Sequence, residues 1–214
     1  REVNVAGTIQ LAKQALESGV RRFIFVSSIK VNGEKTNKAP FTINDEPNPQ
    51  NPYAISKLEA ENALREIDVQ STMEIVIIRP PLVYGQGVKG NFERLTRLVE
   101  LGIPLPLASI KNKRSLISLD NLLQLLSKSI IDPTVANQTL LVSDGKDLST
   151  PQLIKKIAKL IGRPARLFPF PIKLLKILVK LTGQSKVINR LTENLQIDGI
   201  SYLESDPKSE NKGR

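Results

Sequence analysis

Residues 22–28, RFIFVSS, form a short apolar run closed by two serines; residues 74–81, EIVIIRPP, form a second run closed by two prolines. Both runs are too short for a stable helix and are rich in β-branched and aromatic residues. They predict two buried strands, Arg22–Val26 and Glu74–Arg79. Ahead of the first, Val5, Ile9, Ala12 and Leu16 recur at helical spacing, and Ser18-Gly19 supplies a stop. Between the strands, the stretch from Tyr53 to Ile67 predicts a helix with Pro52 near its start. Helix, strand, helix, strand is the order of a parallel sheet covered on both faces. An open parallel sheet needs more than two strands, and the chain starts inside a helix, so preceding units are expected to be missing.

After Val83 the pattern changes. Helices are predicted at Asn91–Leu101, Leu119–Ile131, Thr150–Ile161 and Pro171–Leu181, with strands at Leu116–Leu119 and Thr139–Val142. Ser149 or Thr150 caps the third of these helices, with Pro151 near its first position, and Gly183 follows the fourth. Beyond Gly199 the sequence is polar and aperiodic and reads as a frayed tail.

Composition excludes much chemistry. The 214 residues contain no cysteine and no histidine. Disulfides, thiolate nucleophiles, imidazole-metal sites and a Ser-His-Asp triad are therefore excluded. Acid–base work falls to Tyr, Lys, Asp, Glu or Ser. The net charge of +10 comes from one stretch, since Leu148–Thr192 holds ten Lys/Arg and no Asp/Glu. Its only aromatics are Phe168 and Phe170, in a Pro-rich link, whereas nucleic-acid binders interleave basic residues with stacking aromatics. No nucleic acid is expected as a partner. No apolar run is long enough to span a bilayer.

Three sequence features bear on catalysis. Ser27-Ser28 ends a buried strand, where open α/β sheets place their ligands. Tyr53-Ala-Ile-Ser-Lys57 puts a phenol and an ammonium one helical turn apart on one face. Arg79-Pro-Pro-Leu-Val-Tyr-Gly85 is the turn where the next strand ends. A free phenol has a pKa of about 10 and is only about one part in a thousand ionised at neutral pH. A neighbouring ammonium favours the phenolate and makes Tyr53 a usable proton acceptor and donor.

In order and spacing, FIFVSSIKVNGE, NPYAISKLEAE, IIRPPLVYGQG and NKRSLISLDNL resemble the extended short-chain dehydrogenase/reductase family, whose members include sugar-nucleotide 4-epimerases and 4-keto-sugar reductases. The resemblance covers about residues 1–198. It implies an α/β fold: the C-terminal part of a Rossmann-like parallel sheet over residues 1–83, then a smaller α/β substrate domain over 84–198. The helix 119–131 is expected to pack back on the first domain, and 199–214 to be tail. It further implies that Tyr53 is the catalytic acid/base, that Lys57 binds the nicotinamide ribose, and that Ser28 is the third catalytic residue. Asn4 would organise a water chain to the lysine, Pro80 and Val83 would flank the nicotinamide, and Asn91 and Arg114 would hold the substrate diphosphate. An arginine suits phosphate because its planar fork makes paired, charge-assisted bonds. The implied cofactor is NAD or NADP, the partner a nucleotide sugar, the location cytoplasmic, with a homodimer allowed.

The implied activity is oxidoreduction at C4 of a UDP-hexose or UDP-N-acetylhexosamine for surface polysaccharide synthesis. The LPLASIKNKRSLISLDNL stretch is closer to the reductase-like branch, which places reduction slightly ahead of epimerisation. Dehydratases of the family carry Asp-Glu where Ile29-Lys30 stand here, which argues against dehydration. The family's glycine-rich phosphate loop is absent, so the chain alone should bind the dinucleotide poorly. Gly85-Gln-Gly87-Val-Lys-Gly90 matches G-x-G-x-x-G, but two prolines separate it from the strand ending at Arg79, and the fingerprint needs its first Gly directly after a strand. It is expected to be a loop that leads into the substrate helix.

Two other readings stand beside the enzyme: a fold-retaining binding module without catalysis, and a membrane-surface enzyme acting on a lipid-linked sugar. In PFPIKLLKILVKLTG (169–183), lysines lie along an apolar helix in the manner of an amphipathic lipid-binding segment. Its apolar residues nearly encircle it, so burial in the substrate domain is expected.

Overall fold

The computed structural model describes residues 1–69, 71–181 and 185–201. A wide helical turn at Glu2–Gly7 runs into helix α1 (Thr8–Glu17), followed by strand β1 (Arg22–Val26), helix α2 (Pro52–Val69) and strand β2 (Glu74–Arg79). Then come β3 (Leu82–Tyr84), α3 (Asn91–Glu100), β4 (Leu116–Ser118), α4 (Leu119–Ile131), β5 (Thr139–Ser143), α5 (Thr150–Leu160), α6 (Ile172–Leu181), α7 (Ser185–Thr192) and β6 (Ile200–Ser201).

A four-stranded sheet in the order β1-β2-β5-β6 carries the first layer, and β3-β4 form a second, two-stranded sheet. All pairings are parallel: Phe25 lies opposite Ile77, Ile78 opposite Leu140, and Val142 opposite Ile200. Side-chain alternation along β2 explains why both faces are covered. Ile75 and Ile77 point into a cluster with Ala12, Ala60, Leu64 and Met73 from the α1/α2 side. Val76 and Ile78 point the other way, to Leu122 of α4, Leu140 and Val142. Leu122 thus packs the helix 119–131 against the first sheet. A third cluster joins Phe92, Leu95, Ile154, Ile157, Leu175 and Ile188 of α3, α5, α6 and α7.

Four sequence expectations are corrected. The segment 84–198 returns to the first sheet, because β5 pairs with β2; a parallel neighbour is reached by crossing over, so sheet membership does not follow chain order. β1 is half-buried except at Phe25, and Val26 is exposed, because among the described residues it is the edge strand. The tail does not begin at Gly199. Any Cβ there would lie 2.5 Å from the Leu141 carbonyl oxygen, so the glycine lets the chain run against β5 and form β6; the rest of the expected tail, 202–214, lies outside the described residues, as does Gly183. Finally, α6 is not enclosed: Leu175 is buried, while Leu174, Ile177, Leu178 and Leu181 are exposed.

Candidate active site at the carboxyl ends of β1 and β2

The ends of β1 and β2 are tied together by their backbones. Ser27 N–H donates to the Ile78 carbonyl at 2.7 Å, and Ile29 N–H to the Pro80 carbonyl at 3.0 Å. Ser28 is extended (φ −158°, ψ 145°), and its Oγ accepts from Lys30 N–H, capping a single 3-10 turn at Ile29–Val31. Helix α2 starts nearby, with Asn51 Oδ1 accepting from Ala54 N–H at 3.0 Å. That cap sets the direction in which Tyr53 and Lys57 leave the helix.

Tyr53 is 46% exposed. Partial burial raises its phenol above the ordinary range, and a hydrogen bond from the Ser28 hydroxyl, which favours the phenolate, pulls it back. Lys57 Nζ donates to the Val26 carbonyl at 2.9 Å and lies 4.4 Å from the centre of the Phe25 ring. Burial lowers its pKa and the Glu61 carboxylate raises it. Sequence spacing suggested that Lys57 would depress the Tyr53 pKa. In this structure the ammonium is engaged at the end of β1, and desolvation dominates the phenol. Asn4 Nδ2 donates to Ser56 Oγ at 3.1 Å, and Ser56 Oγ donates to the Tyr53 carbonyl at 2.8 Å. Asn4 therefore supports the turn of α2 that carries Tyr53 and Lys57.

Pro80 is buried behind Ser28, while Val83 is half-buried and pairs with Ile117 between β3 and β4. Asn91 is exposed at the start of α3. Arg114 Nη1 donates to the Arg190 and Glu193 carbonyls at 2.7 and 3.2 Å, closing the C-terminal end of α7. Its charge also reaches Lys30, which sits two residues from Ser28. Around it, Glu34 pairs with Lys30 at 3.6 Å and with Arg190 at 3.9 Å, and accepts from Asn51.

Sequence reasoning missed the support beneath the site. Glu61, on α2 one turn beyond Lys57, is 3% exposed; it accepts from Ser27 Oγ and forks with Arg79. The signal was present: Tyr53, Lys57 and Glu61 are spaced by four, which puts the acid on the face shared by Tyr53 and Lys57.

The Gly85–Gly90 loop also differs from expectation. Gly85 does follow a strand directly, since β3 ends at Tyr84. Its requirement for glycine is accounted for by its φ of +144° and by a Cβ that would meet the Leu119 Cβ at 3.1 Å. A packing contact with α4 thus explains the residue without a phosphate. A cavity of about 360 Å³ is lined by Ile43, Asp45, Arg65, Asp68, Arg79 and Thr139 and includes none of Ser28, Tyr53 and Lys57. Among the described residues, no cluster of carboxylates fit to hold a metal ion occurs.

The family described as the NAD dependent epimerase/dehydratase family matches residues 1–130. The chain belongs to this family. A UDP-glucose 4-epimerase of Vibrio cholerae is 52% identical over 200 residues, covering 92% of this chain and 61% of that protein. An Escherichia coli O157:H7 relative, N-acetyl-alpha-D-glucosaminyl-diphospho-ditrans,octacis-undecaprenol 4-epimerase, is 27% identical over 88% of this chain and 59% of its own length. The chain thus spans about three-fifths of these relatives. Among solved structures, a Thermotoga maritima UDP-glucose 4-epimerase with UDP-glucose aligns with a TM-score of 0.70 at 18% identity, covering 95% of this chain and 62% of that one. A Bacillus cereus UDP-glucuronic acid 4-epimerase in complex with NAD aligns at 0.71 and 17% identity, covering 94% and 60%. These likenesses show the Rossmann-like fold. The family's description names NAD, which answers the alternative of NAD or NADP at family level. Tyr53 and Lys57 fit that group: both lie at the carboxyl ends of the strands, only partly buried, with polar ends to offer a ribose.

Proposed function

We propose that this epimerase/dehydratase-family chain carries the catalytic residues for C4 epimerisation of a nucleotide-activated hexose, with UDP-glucose and UDP-galactose as the first pair to test. The observation that carries the reading is the convergence of Tyr53, Ser28 and Lys57 where β1 ends. NAD, when bound, would supply a reversible acceptor for a hydride from a sugar carbon. Tyr53 takes the proton of the C4 hydroxyl as that hydride leaves, and restores a proton to the C4 oxygen when hydride returns to the opposite face. Ser28 orients the same oxygen and hydrogen-bonds Tyr53. Lys57 holds the ribose and keeps a positive charge beside the reaction. The cycle is redox-neutral, so it needs no further reductant. Sequence details had placed reduction slightly ahead; the 52% identity to a UDP-glucose 4-epimerase supports epimerisation instead.

The Arg114 charge reaches Lys30, two residues beyond Ser28, and we assign the sugar diphosphate to their vicinity, with Asn91 as a further contact from α3. The test is incubation of the full-length protein with NAD and UDP-glucose, followed by separation of the epimers. Interconversion is expected, and Tyr53→Phe abolishes it. Failure of the parent enzyme to interconvert any UDP-hexose or UDP-N-acetylhexosamine overturns the reading.

A second reading keeps the chemistry and changes the carrier. The Escherichia coli relative's name places its sugar on undecaprenyl diphosphate. The exposed apolar face of α6 favours a substrate at a lipid surface, and the same assay with a lipid-diphosphate sugar tests it.

A further inference from the structure

Helix α6 presents two apolar faces, and only one is used inside the protein. Leu175 is buried, and Ile172 and Val179 pack beside it on the α3/α5 cluster. On the opposite side, Leu174, Ile177, Leu178 and Leu181 are 51%, 57%, 53% and 81% exposed. These four follow the i, i+3, i+4, i+7 spacing that makes one continuous helical stripe. An ordinary surface helix places polar residues there, and a contiguous apolar stripe marks an interaction surface. Phe168, 41% exposed, lies just ahead of the helix.

Charge identifies the occupant. Lys173 and Lys180 are exposed and fall together along one flank of the stripe, about 100° from its centre at 100° per residue. The stretch Leu148–Thr192 around them has ten basic residues and no acidic one. A second copy docked about a two-fold axis would bring like charges together. An anionic lipid surface instead pairs Lys173 and Lys180 with its headgroups. At ten residues, α6 is about 15 Å long, half of what a bilayer span requires, so it suits lying in the interface plane. Among the described residues no helix is long and apolar enough to cross a membrane.

We propose that the outer face of α6 docks this protein on an anionic lipid surface. Leu174, Ile177, Leu178 and Leu181 enter the acyl boundary, and Lys173 and Lys180 meet the headgroups. The inference stands on α6 and its charge and does not depend on which sugar carrier is used.

The experiment is co-sedimentation of the full-length protein with vesicles of phosphatidylcholine, with and without phosphatidylglycerol, at low and high salt. Binding is expected to vesicles containing phosphatidylglycerol and to weaken at high salt. Leu174→Glu/Leu178→Glu should reduce binding by about tenfold or more, while turnover of soluble UDP-hexose and the oligomeric state by light scattering stay as in the parent. Lys173→Glu/Lys180→Glu, which leaves the apolar stripe intact, provides a second variant should the first misfold; it should lose the preference for phosphatidylglycerol. Absence of parent binding, binding equal on both vesicle types, or dissociation of an oligomer by the leucine variant overturns the proposal.

Discussion

Arg79 and Glu61 form a buried fork beneath the candidate active site. Arg79 Nη2 donates to Glu61 Oε2 at 2.6 Å and Nε to both carboxylate oxygens at 3.1 and 3.2 Å, with the side chains 8% and 4% exposed. Asn32 Oδ1 takes a further Arg79 bond at 3.0 Å, and Ser27 donates to Glu61. The fork links the end of β2, helix α2 and the serine beside Ser28. Glu61→Ala leaves a buried guanidinium uncompensated and should destabilise the full-length protein by about 3–5 kcal/mol, read from chemical denaturation. A loss under about 1 kcal/mol would show that solvent already compensates Arg79.

Tyr53 should govern the pH profile. Burial holds its phenol above the ordinary range, and the proton-accepting form is the phenolate. The kcat/KM of the full-length enzyme is therefore expected to rise with pH through neutrality as the phenolate fraction grows. Ser28→Ala removes the bond that favours the phenolate, so the rising limb should move to higher pH. Tyr53→Phe should lower turnover about a hundredfold or more. A rising limb that moves to lower pH in Ser28→Ala contradicts the assignment.

Arg114, which we assign to the sugar diphosphate, also closes the end of α7. Its Nη1 donates to two backbone carbonyls, so Arg114→Ala should cost about 1.5–3 kcal/mol of stability as well as nucleotide-sugar affinity. NAD affinity should stay within a few-fold of the parent. Calorimetric titration of each ligand distinguishes this from a general folding defect, in which both affinities fall together.

Tyr84 should lend stability that alkali removes. Its hydroxyl donates to Asp144 Oδ2 at 2.7 Å and accepts from Lys156 at 3.0 Å. Burial first, then the Asp144 carboxylate, push the phenol well above its ordinary range. A raised folded-state pKa means that the contribution is fully present below the unfolded pKa of about 10 and is lost as pH rises through the folded value. Tyr84→Phe should cost about 0.5–1.5 kcal/mol near neutrality. The difference from the parent should shrink above the ordinary phenol range, as denaturation midpoints compared across alkaline pH would show. A difference that grows with pH reverses the sign and refutes the argument.

Local pattern carried much of the fold. The apolar runs at 22–26 and 74–79 became β1 and β2 in direct register, and Ser149 with Gln152 built the capping box that starts α5. The shared face of Tyr53 and Lys57 was legible for the same reason: four-residue spacing on a helix is a local fact. Long-range partners were not legible. Glu61 and Arg79 are 18 residues apart and meet only because β2 lies against α2, and the path of β5 back to β2 requires a crossover that no local pattern specifies.

What the sequence determined by itself was the parallel α/β class, the Tyr53–Lys57 face, the missing imidazole and thiol chemistry, and the basic stretch Leu148–Thr192, because periodicity and composition are properties of neighbours in the chain. Only the tertiary structure decided where charges and faces point. It placed Lys57 on the Val26 carbonyl rather than on the Tyr53 phenol, closed α7 with Arg114, and left Leu174, Ile177, Leu178 and Leu181 outside. Each of those outcomes depends on which surfaces meet in space. An apolar residue does not carry in its own identity whether another element will cover it.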